Sequence, residues 1–248
     1  MPTVGSRMDD DAEEARTFAQ AVQARLAEDI LCGGIAPGTK LHLQSLCESY
    51  DVSMSPLREA LAGLTGRGLV TQEGQRGFRV ATATQEDLRE VVDTRIHIET
   101  LALRLSIIHG NDEWEAGILA AHHRLQRRQR LDELLIDPLW EKLHRAFHVS
   151  LIAACGLAPL LSFYGTLTDN FDRYRRLAVL AAGRHPRPKA THGAIVKATL
   201  ARDTARAEKL LAAHVRDSAD QIAELFDSVD MSATKKPRVR TGIPLANK

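Results

Sequence analysis

Apolar residues repeat at helical spacing along almost the whole chain, and the repeat changes to strand spacing in only one place. Between Phe18 and Ile30 they recur every fourth residue. Two short β-branched runs then lie on either side of a glycine-containing turn, at residues 69–73 and 78–81, which is typical of a β-hairpin. After residue 84 the sequence shows no further strand pattern. The chain is therefore predicted to be mainly α-helical with a single hairpin.

Three predicted helices precede the hairpin. The first begins at Phe18 and stops at Gly33-Gly34, the second is short and ends near Tyr50, and the third begins at residues 53–55 with Pro56 in its first turn. Three helices followed by a hairpin is the order of a winged helix-turn-helix, in which the third helix enters the DNA major groove. This order favours a DNA-binding domain in the first third of the chain.

Helix-start signals divide the rest of the chain into an all-α antiparallel bundle. Thr84-x-x-Asp87 resembles a capping box, and Asp137-Pro138, Pro159 and Thr191 each open a further helix. We predict a disordered acidic N-terminus at residues 1–17 and a winged helix-turn-helix domain at residues 18–82. An all-helical domain for effector binding, metal binding and dimerisation is predicted at residues 83–230, and a disordered basic tail at residues 231–248.

The charge distribution is uneven although the total is close to zero. The 248 residues carry a net charge of +1, which by itself gives no sign of a nucleic-acid-binding protein. Residues 18–82 sum to 0, whereas the acidic N-terminus sums to about −3 and residues 231–248 sum to +5. A general electrostatic attraction to DNA is therefore expected to be weak. The basic tail is either a solvated segment or an accessory DNA arm.

Composition excludes several other classes of protein. With 44% hydrophobic and 26% charged residues, the bulk of the chain is expected to fold. No uncharged apolar run approaches the roughly 20 residues that cross a bilayer, and the acidic N-terminus is unlike a secretory signal. The protein is therefore expected in the cytoplasm, without a membrane partner. Three widely spaced cysteines favour neither a disulfide framework nor a thiolate zinc site.

The segment from Leu26 to Gly77 closely resembles the DNA-binding domain of the GntR family of bacterial transcription regulators. The resemblance rests on the motifs Pro37-Gly-Thr-Lys-Leu41, Val52-Ser-Met-Ser-Pro-Leu-Arg-Glu-Ala-Leu61 and Gly68-Leu-Val70. It implies that residues 53–66 form the recognition helix and that Ser53, Ser55 and Arg58 face DNA. Met54 departs from the family, in which arginine is usual, and this departure bears on the operator preference.

The chemistry of these residues agrees with contact to DNA. Arg58 lies between apolar positions and projects away from the core, and arginine is the usual reader of guanine, although a solvated surface arginine is the alternative. Ser53 and Ser55 suit phosphate contacts, and helix capping alone would also explain either serine. In the hairpin, Arg76 is a candidate wing contact, and Gly77 allows the backbone to approach DNA closely.

Four of the ten histidines form a second constellation. His144 and His148 are four residues apart on an otherwise apolar helical stripe, so both rings are expected to point inward. His192 and His214 lie about 15 and 18 Å from the Arg202-Asp203 turn along two predicted helices, so an antiparallel hairpin would bring them level. Four imidazoles of this kind suit a divalent transition metal, with zinc or nickel expected.

The histidine region resembles the FCD effector domain of FadR-like GntR regulators. The resemblance covers roughly residues 84–228 and rests on Phe147-His148-x-x-Leu151, Ala154-x-Gly156, His192 and His214. In metal-binding members an aspartate and three histidines hold the ion. The aspartate position falls on His144 here, which makes the site one charge more positive, and Leu157 stands where asparagine is common.

A metal in such a domain usually leaves coordination positions for a small carboxylate effector, which a cationic side chain would help to hold. Arg95 is one candidate, although Arg95 and Glu99 also suit a structural i, i+4 ion pair. Arg173 and Arg176 are further candidates for the same pocket. Five further histidines have no comparable spacing and are expected at the surface: His97, His109, His122, His123 and His185.

The sequence therefore predicts a homodimeric transcription regulator, more specifically a repressor, that binds a palindromic operator and responds to a small organic acid. One alternative is a regulator for which the metal itself is the signal. A helical metalloenzyme is a weaker alternative, because His144-Arg-Ala-Phe-His148 lacks the glutamate that a His-Glu-x-x-His site needs. We do not expect an enzyme.

Overall fold

The computed structural model describes residues 4–74, 77–129, 137–183 and 191–227. The chain divides into two units, with the boundary between Ala83 and Thr84. The described residues form nine helices and one small three-stranded sheet. The predicted fold class, a winged helix-turn-helix followed by an all-α bundle, is confirmed. Within the described ranges, no helix is both long and apolar enough to cross a membrane.

The first unit contains three helices and three strands. In chain order they are α1 (Val4–Leu31), β1 (Lys40–Leu41), α2 (Leu43–Tyr50), α3 (Met54–Gly66), β2 (Val70–Gln72) and β3 (Phe78–Val80). The strands are antiparallel in the order β1-β3-β2, with Val70 opposite Val80 and Leu41 opposite Phe78. The apolar faces of α1 and α3 bury their side chains in a common core with the sheet, including Leu26, Ile30, Leu57, Leu61 and Leu64. This packing leaves the opposite face of α3 exposed.

Two details of the first unit differ from the sequence prediction. Helix α1 begins at Val4, so residues 4–17 are helical and not disordered as predicted. The alanine, glutamate and arginine residues there have good helix propensity. Strand β1 was not predicted, because a strand of two residues is too short to show an alternating pattern.

The second unit is built from six helices. They are α4 (Gln85–His109), α5 (Asp112–Gln129), α6 (Pro138–Ile152), α7 (Ala158–Ala182), α8 (His192–Leu200) and α9 (Thr204–Asp227). The predicted caps are present at two starts, because the Thr84 hydroxyl accepts a hydrogen bond from the Asp87 amide at 3.1 Å and Asp137 accepts from two amides of α6. Helix α9 packs against α4, α7 and α8, and α5 packs against α6.

The turn between α8 and α9 is held by one arginine. Arg202 adopts a positive φ of 55° and donates to the carbonyl oxygens of Ile107 and Gly110 at 2.5 and 2.9 Å. Its guanidinium also pairs with Glu115 and lies 5.2 Å from the centre of the Trp114 ring. These contacts tie the turn to the junction between α4 and α5. They fix the antiparallel arrangement of α8 and α9, which positions two of the four histidines.

Candidate metal centre and recognition helix

Four histidines from three helices of the second unit converge on one point. His144 and His148 lie one turn apart on α6, His192 is the first residue of α8, and His214 lies in α9. One ring nitrogen of each lies within 4.8 Å of the others. The i, i+4 spacing places the first pair on one face of α6, and the α8–α9 hairpin brings the second pair level. The structure therefore brings together the four residues that the sequence predicted as metal ligands, which we call the histidine cluster.

Hydrogen bonds turn the ring nitrogens of the histidine cluster toward its centre. His148 Nδ1 lies 2.8 Å from Glu99 Oε1, and its Nε2 is buried without a hydrogen-bond partner among the described residues. Because an ionised carboxylate only accepts hydrogen bonds, His148 Nδ1 carries the proton and its Nε2 presents a lone pair. On the other side, His214 Nδ1 lies 2.7 Å from Thr191 Oγ1. Partners behind the ring orient metal-binding histidines in this way.

The spacing and chemistry of these nitrogens fit a divalent transition metal. Nε2 of His192 and Nε2 of His214 lie 3.2 Å apart. Two nitrogens bound to one zinc ion at about 2.0–2.1 Å are separated by about 3.3 Å in a tetrahedral arrangement. The buried Nε2 of His148 is the donor atom that a metal ion would use. Imidazole suits zinc and nickel alike, so the residues present fit the predicted cofactor.

Burial keeps three rings of the histidine cluster neutral. Desolvation, with a smaller effect from the neighbouring His148, lowers the pKa of His192 to about 2 and the pKa of His214 to about 3. The same two causes hold the pKa of His144 well below its ordinary value. Neutral imidazoles keep the lone pairs that bind metal ions. At neutral pH His144, His192 and His214 therefore offer nitrogen lone pairs and are not cationic rings.

A buried ion pair stands behind the histidine cluster. Arg95 Nε donates to Glu99 Oε2 at 2.9 Å, and the two side chains are 4% and 0% exposed. Burial raises the pKa of Glu99, but Arg95 and His148 lower it by more, so that the pKa is about 2. Arg95 and Glu99 thus form the i, i+4 pair that was one of the two interpretations of Arg95. Arg95 orients the carboxylate that orients His148, and its role in binding an effector remains a prediction.

One face of α7 carries buried polar atoms without partners. Tyr164, Thr168, Phe171 and Arg175 recur at helical spacing, and all four are buried. The Tyr164 and Thr168 hydroxyls lie close enough to interact with each other, but neither they nor Arg175 Nε make a hydrogen bond of normal geometry to a described residue. Buried polar atoms in folded proteins almost always have a partner. These three atoms, the unpartnered stripe of α7, therefore mark a place for water or a polar ligand.

Ring contacts place the unpartnered stripe beside the histidine cluster. Arg175 Cζ lies 5.2 Å from the centre of the Trp140 ring, and Trp140 stacks on His144 with ring centres 4.7 Å apart. At the other end, Arg95 Cζ lies 5.9 Å from the centre of the Tyr164 ring. The stripe therefore runs from the ion pair behind the cluster to the cluster itself.

The sequence singled out other arginines of α7. Arg173 is buried, but its guanidinium lies 4.9 Å from the Tyr174 ring, whose surroundings include carboxylates in the first turns of α4. Arg176 pairs with Glu141 at 2.5 Å. Arg175, which the sequence analysis did not select, also pairs with Glu141 and Asp172, through its Nη2 at 3.2 and 2.9 Å. Its guanidinium contacts the ring stack on the cluster, and its Nε is left without a partner among the described residues. The effector-binding role of Arg173 stays a prediction.

A fifth histidine also lies in this region. His122 was expected at the surface, but it is half-buried, its ring centre lies 5.6 Å from that of Phe147, and its Nε2 is buried without a partner among the described residues. Burial lowers the pKa of its imidazole. The sequence contains a signal for this burial, because Ile118 and Leu125, four residues before and three after His122, are apolar and share its side of α5. His185 lies outside the described residues, and the others that were expected at the surface are exposed: His97, His109 and His123.

The exposed face of α3 presents the residues predicted to contact DNA. Ser53 precedes the helix with an extended backbone and makes no side-chain capping bond. Ser53, Ser55 and Arg58 are exposed, and none makes a side-chain hydrogen bond to a described residue. Met54 is 40% exposed on the same part of the helix. Because Leu57 and its apolar neighbours face the core, the polar groups of the first two turns remain available to an outside partner.

The hairpin is described only in part. Gly77 has a φ of 106°, a conformation that favours glycine, and its carbonyl accepts from the Glu73 amide at 2.9 Å. Arg76 lies outside the described residues. Arg79 is a structural residue here, since it pairs with Glu73 at 2.6 Å and donates to the Gly38 carbonyl at 2.6 Å. These contacts join β3 to the turn before β1.

Comparison with protein families assigns both units. The model for bacterial regulatory proteins of the gntR family matches residues 18–80, and the model for the FCD domain matches residues 90–217. The first range contains α3, and the second contains the whole histidine cluster. The chain belongs to the GntR family.

Relatives and solved structures agree with this assignment. The HTH-type transcriptional repressor GlaR from Escherichia coli (strain K12) is 37% identical over 196 residues, which cover 77% of this chain and 89% of GlaR. The uncharacterized HTH-type transcriptional regulator BphR from Paraburkholderia xenovorans (strain LB400) is 37% identical over 210 residues, or 82% of this chain and 84% of BphR. A GntR family regulator from Pseudomonas syringae pv. tomato str. DC3000 matches with a TM-score of 0.51 and 25% identity, and 88% of each chain is covered.

Membership fixes the class of function. This GntR protein is a transcription regulator that binds DNA through its winged helix-turn-helix, and it is not an enzyme. FCD domains are often associated with a metal, and in this one the histidine cluster offers the ligands.

Proposed function

We propose that this GntR regulator is a homodimeric repressor whose operator affinity is controlled by a small organic acid, bound beside a divalent metal ion in the FCD domain. The observation that carries the proposal is the position of the unpartnered stripe of α7 beside the histidine cluster. GlaR, a relative at 37% identity, is named a repressor, which supports the direction of regulation. The protein would act on DNA in the bacterial cytoplasm.

Four side chains would hold the metal, with zinc or nickel as the expected ion: His144, His148, His192 and His214. Bound there, the ion would supply positive charge and open coordination positions that attract a carboxylate. Glu99 and Thr191 orient two of the rings, and burial keeps the imidazoles of His192 and His214 unprotonated. The histidine at the position of the family's aspartate leaves one more positive charge in the site, which strengthens the attraction for an anion.

The acid would give the unpartnered stripe its missing partners. A carboxylate accepts several hydrogen bonds, and those from arginine are charge-assisted and comparatively strong. Arg175 Nε, the Tyr164 hydroxyl and the Thr168 hydroxyl are the donors that face this region. Arg95 and Arg173 remain the effector-binding candidates from the sequence. Arg95 would act mainly through Glu99, because its Nε is already bonded there.

Operator recognition would use the first unit. Arg58 would read guanine in the major groove, and Ser53 and Ser55 would contact phosphates from the start of α3. Arg76 and Gly77 would form the wing contact. In a two-fold symmetric dimer, each recognition helix reads one half-site, so the operator would be a short palindrome.

Control of the operator would follow from differential binding. An acid that binds one state of the dimer more tightly than the other shifts the population toward that state and so changes the affinity for DNA. By linkage, DNA changes the affinity for the acid by the same factor. No direct contact between effector and DNA is needed.

A second candidate is a regulator for which the metal itself is the signal. It is favoured by the origin of the ligands on three different helices, α6, α8 and α9, because metal binding alone would then link these helices. The operator affinities of metal-free and metal-loaded protein, measured without any added acid, separate the two candidates. A metal sensor would switch under these conditions, whereas an acid sensor would not.

The test of the metal-dependent site combines metal analysis with thermal unfolding. Elemental analysis of the purified protein is expected to find zinc or nickel, and the double variant His148→Ala/His214→Ala is expected to lose it. The matched control, His97→Ala/His109→Ala, removes two exposed histidines and should keep the metal. Small carboxylates should raise the melting temperature of the metal-loaded wild type and not that of the double variant. Unchanged metal content in the double variant would contradict the site.

A further inference from the structure

We propose that Met54 reads the 5-methyl group of a thymine in the operator half-site, next to the guanine contacted by Arg58. This inference rests on the proposed role of α3 as the recognition helix. It adds a specificity-determining residue, and it assigns that residue a chemistry opposite to the arginine that is usual at this position of the family.

The geometry of α3 places the two residues on one stripe. Met54 is the first residue of the helix, and Arg58 follows four residues later, so their side chains lie one turn apart on the same face. Both side chains are exposed, and Met54, at the start of the helix, lies at the edge of the buried face that Leu57, Leu61 and Leu64 form. Residues in the first turns of a recognition helix are the ones that contact base edges. Met54 is therefore positioned to contact a base close to the one that Arg58 contacts.

The chemistry of Met54 selects one feature of DNA. A thioether has no hydrogen-bond donor, so it gains little from a phosphate or from the acceptor atoms of guanine. In the major groove, the thymine methyl is the apolar group that a base edge presents, and apolar side chains contact it. Methionine is long and flexible, so it adapts to such a group. An apolar side chain that is 40% exposed in the free protein would also gain by burial against it.

The neighbouring side chains support the same partner. Ser53 and Ser55 are exposed and uncharged, so the residues on either side of Met54 place no ionic group beside the thioether. The nearest exposed cation on the stripe is Arg58, which makes no hydrogen bond to a described residue. The stripe therefore presents an apolar tip followed by a guanidinium, which complements a thymine and a guanine at neighbouring positions.

The experiment uses DNA that the protein itself selects. A duplex enriched from a random-sequence library by the full-length protein is resynthesised with deoxyuridine in place of each thymine in turn, which removes only the methyl group. Dissociation constants are measured by fluorescence anisotropy at one fixed salt concentration. At one thymine per half-site, the wild type should bind the deoxyuridine duplex about fourfold more weakly, the value expected for one buried methyl group. Met54→Ala should bind both duplexes nearly equally.

The controls separate this inference from the proposed function. Leu119→Ala removes another exposed apolar side chain, on α5, and should keep the fourfold discrimination. Arg58→Ala tests α3 as the recognition helix. If Arg58→Ala loses specific binding but the wild type binds thymine and deoxyuridine equally at every position, Met54 reads no methyl group, and the proposed function stands. If Arg58→Ala keeps full operator affinity, the proposed recognition helix itself is wrong. Equal discrimination by wild type and Met54→Ala would also overturn the inference.

Discussion

The two units of this protein keep their candidate functional residues in opposite environments. In the winged helix-turn-helix, Ser53, Ser55 and Arg58 are exposed and make no side-chain hydrogen bond within the described residues. In the FCD domain, the histidine cluster and the unpartnered stripe of α7 are largely buried and belong to several helices. The first arrangement suits a large partner that meets the protein from outside. The second suits a small partner that must be enclosed.

This difference also separates how each site depends on its surroundings. An exposed side chain on one helix depends on little beyond that helix. The nitrogen of His148 depends on Glu99, which depends on Arg95, and these residues come from α4 and α6. Substitution of an exposed residue of α3 should therefore change DNA binding alone. Substitution in the buried network of the FCD domain should change both stability and ligand binding.

The largest effect is expected for Arg58→Ala. A good arginine contact to guanine is worth about 1–3 kcal/mol, and a dimer on a palindrome loses two of them, so specific operator binding should fall by at least thirtyfold. The melting temperature should not change, because the Arg58 side chain is exposed and makes no hydrogen bond to a described residue. Arg104→Ala, which removes an exposed arginine of α4, is the control and should retain full operator affinity. A melting temperature that falls with Arg58→Ala would break the comparison.

Arg95→Ala is expected to destabilise the FCD domain. It leaves the carboxylate of Glu99 buried and without its ion-pair partner, and loss of one member of a buried pair costs about 3–5 kcal/mol. The free energy of unfolding in urea measures this effect. Arg104→Ala again serves as control, since its partner Glu208 is in an exposed pair worth little. Equal stabilities of the two variants would show that the ion pair behind the cluster is not structural.

The metal-free protein should lose stability between pH 7 and pH 5. The lowered pKa values of His192 and His214 mean that these rings take up protons near the ordinary value of 6.5 in the unfolded chain but not in the folded one. Because only the unfolded chain gains these protons, the free energy of unfolding falls as the pH drops below 6.5, by about 2 kcal/mol for each ring at pH 5. His192→Gln should reduce this loss, and His97→Gln, at an exposed site, should not. The same pH dependence in all three proteins would contradict neutral buried rings.

The smallest effect is expected for single donors to the effector. Arg175→Gln should weaken binding of the most stabilising small carboxylate by about tenfold or more, because a hydrogen bond to a charged group is worth about 1.5–3 kcal/mol. Arg173→Gln is the matched variant on the same helix, with its guanidinium beside Tyr174, and should weaken binding less. Isothermal titration of the metal-loaded proteins measures both. The reverse order would restore Arg173 as the main effector ligand.

The sequence predicted the elements that depend on local pattern. Two patterns predicted that the four histidines come together, as the structure shows. One is the i, i+4 spacing of His144 and His148, and the other is the similar distance of His192 and His214 from the Arg202-Asp203 turn. The third helix followed from the apolar positions of α3, which lie on one buried face. These features are visible because helical periodicity alone decides which side chains share a face.

Contacts between distant segments were not predictable in the same way. Glu99 meets His148 across 49 residues of sequence, and only the packing of α4 against α6 brings them together. The unpartnered stripe of α7 is not visible in the sequence, because Tyr164 and Thr168 have the spacing of ordinary core residues. Only the structure shows that their hydroxyls lack a hydrogen-bond partner among the described residues. The position of Arg175 is not predictable from its own helix either, because its neighbour Trp140 lies on another helix.

The central claim is that metal and acid act together to control the operator. The most direct test is the operator dissociation constant of the full-length protein under four conditions: metal-free or metal-loaded, each with or without the small carboxylate that most raises the melting temperature. We expect the acid to change the dissociation constant by about 5–150-fold in the metal-loaded protein, the usual range of allosteric coupling, and to have no effect without metal. An equal response to the acid in the metal-free protein, or a full response to metal alone, would contradict the account.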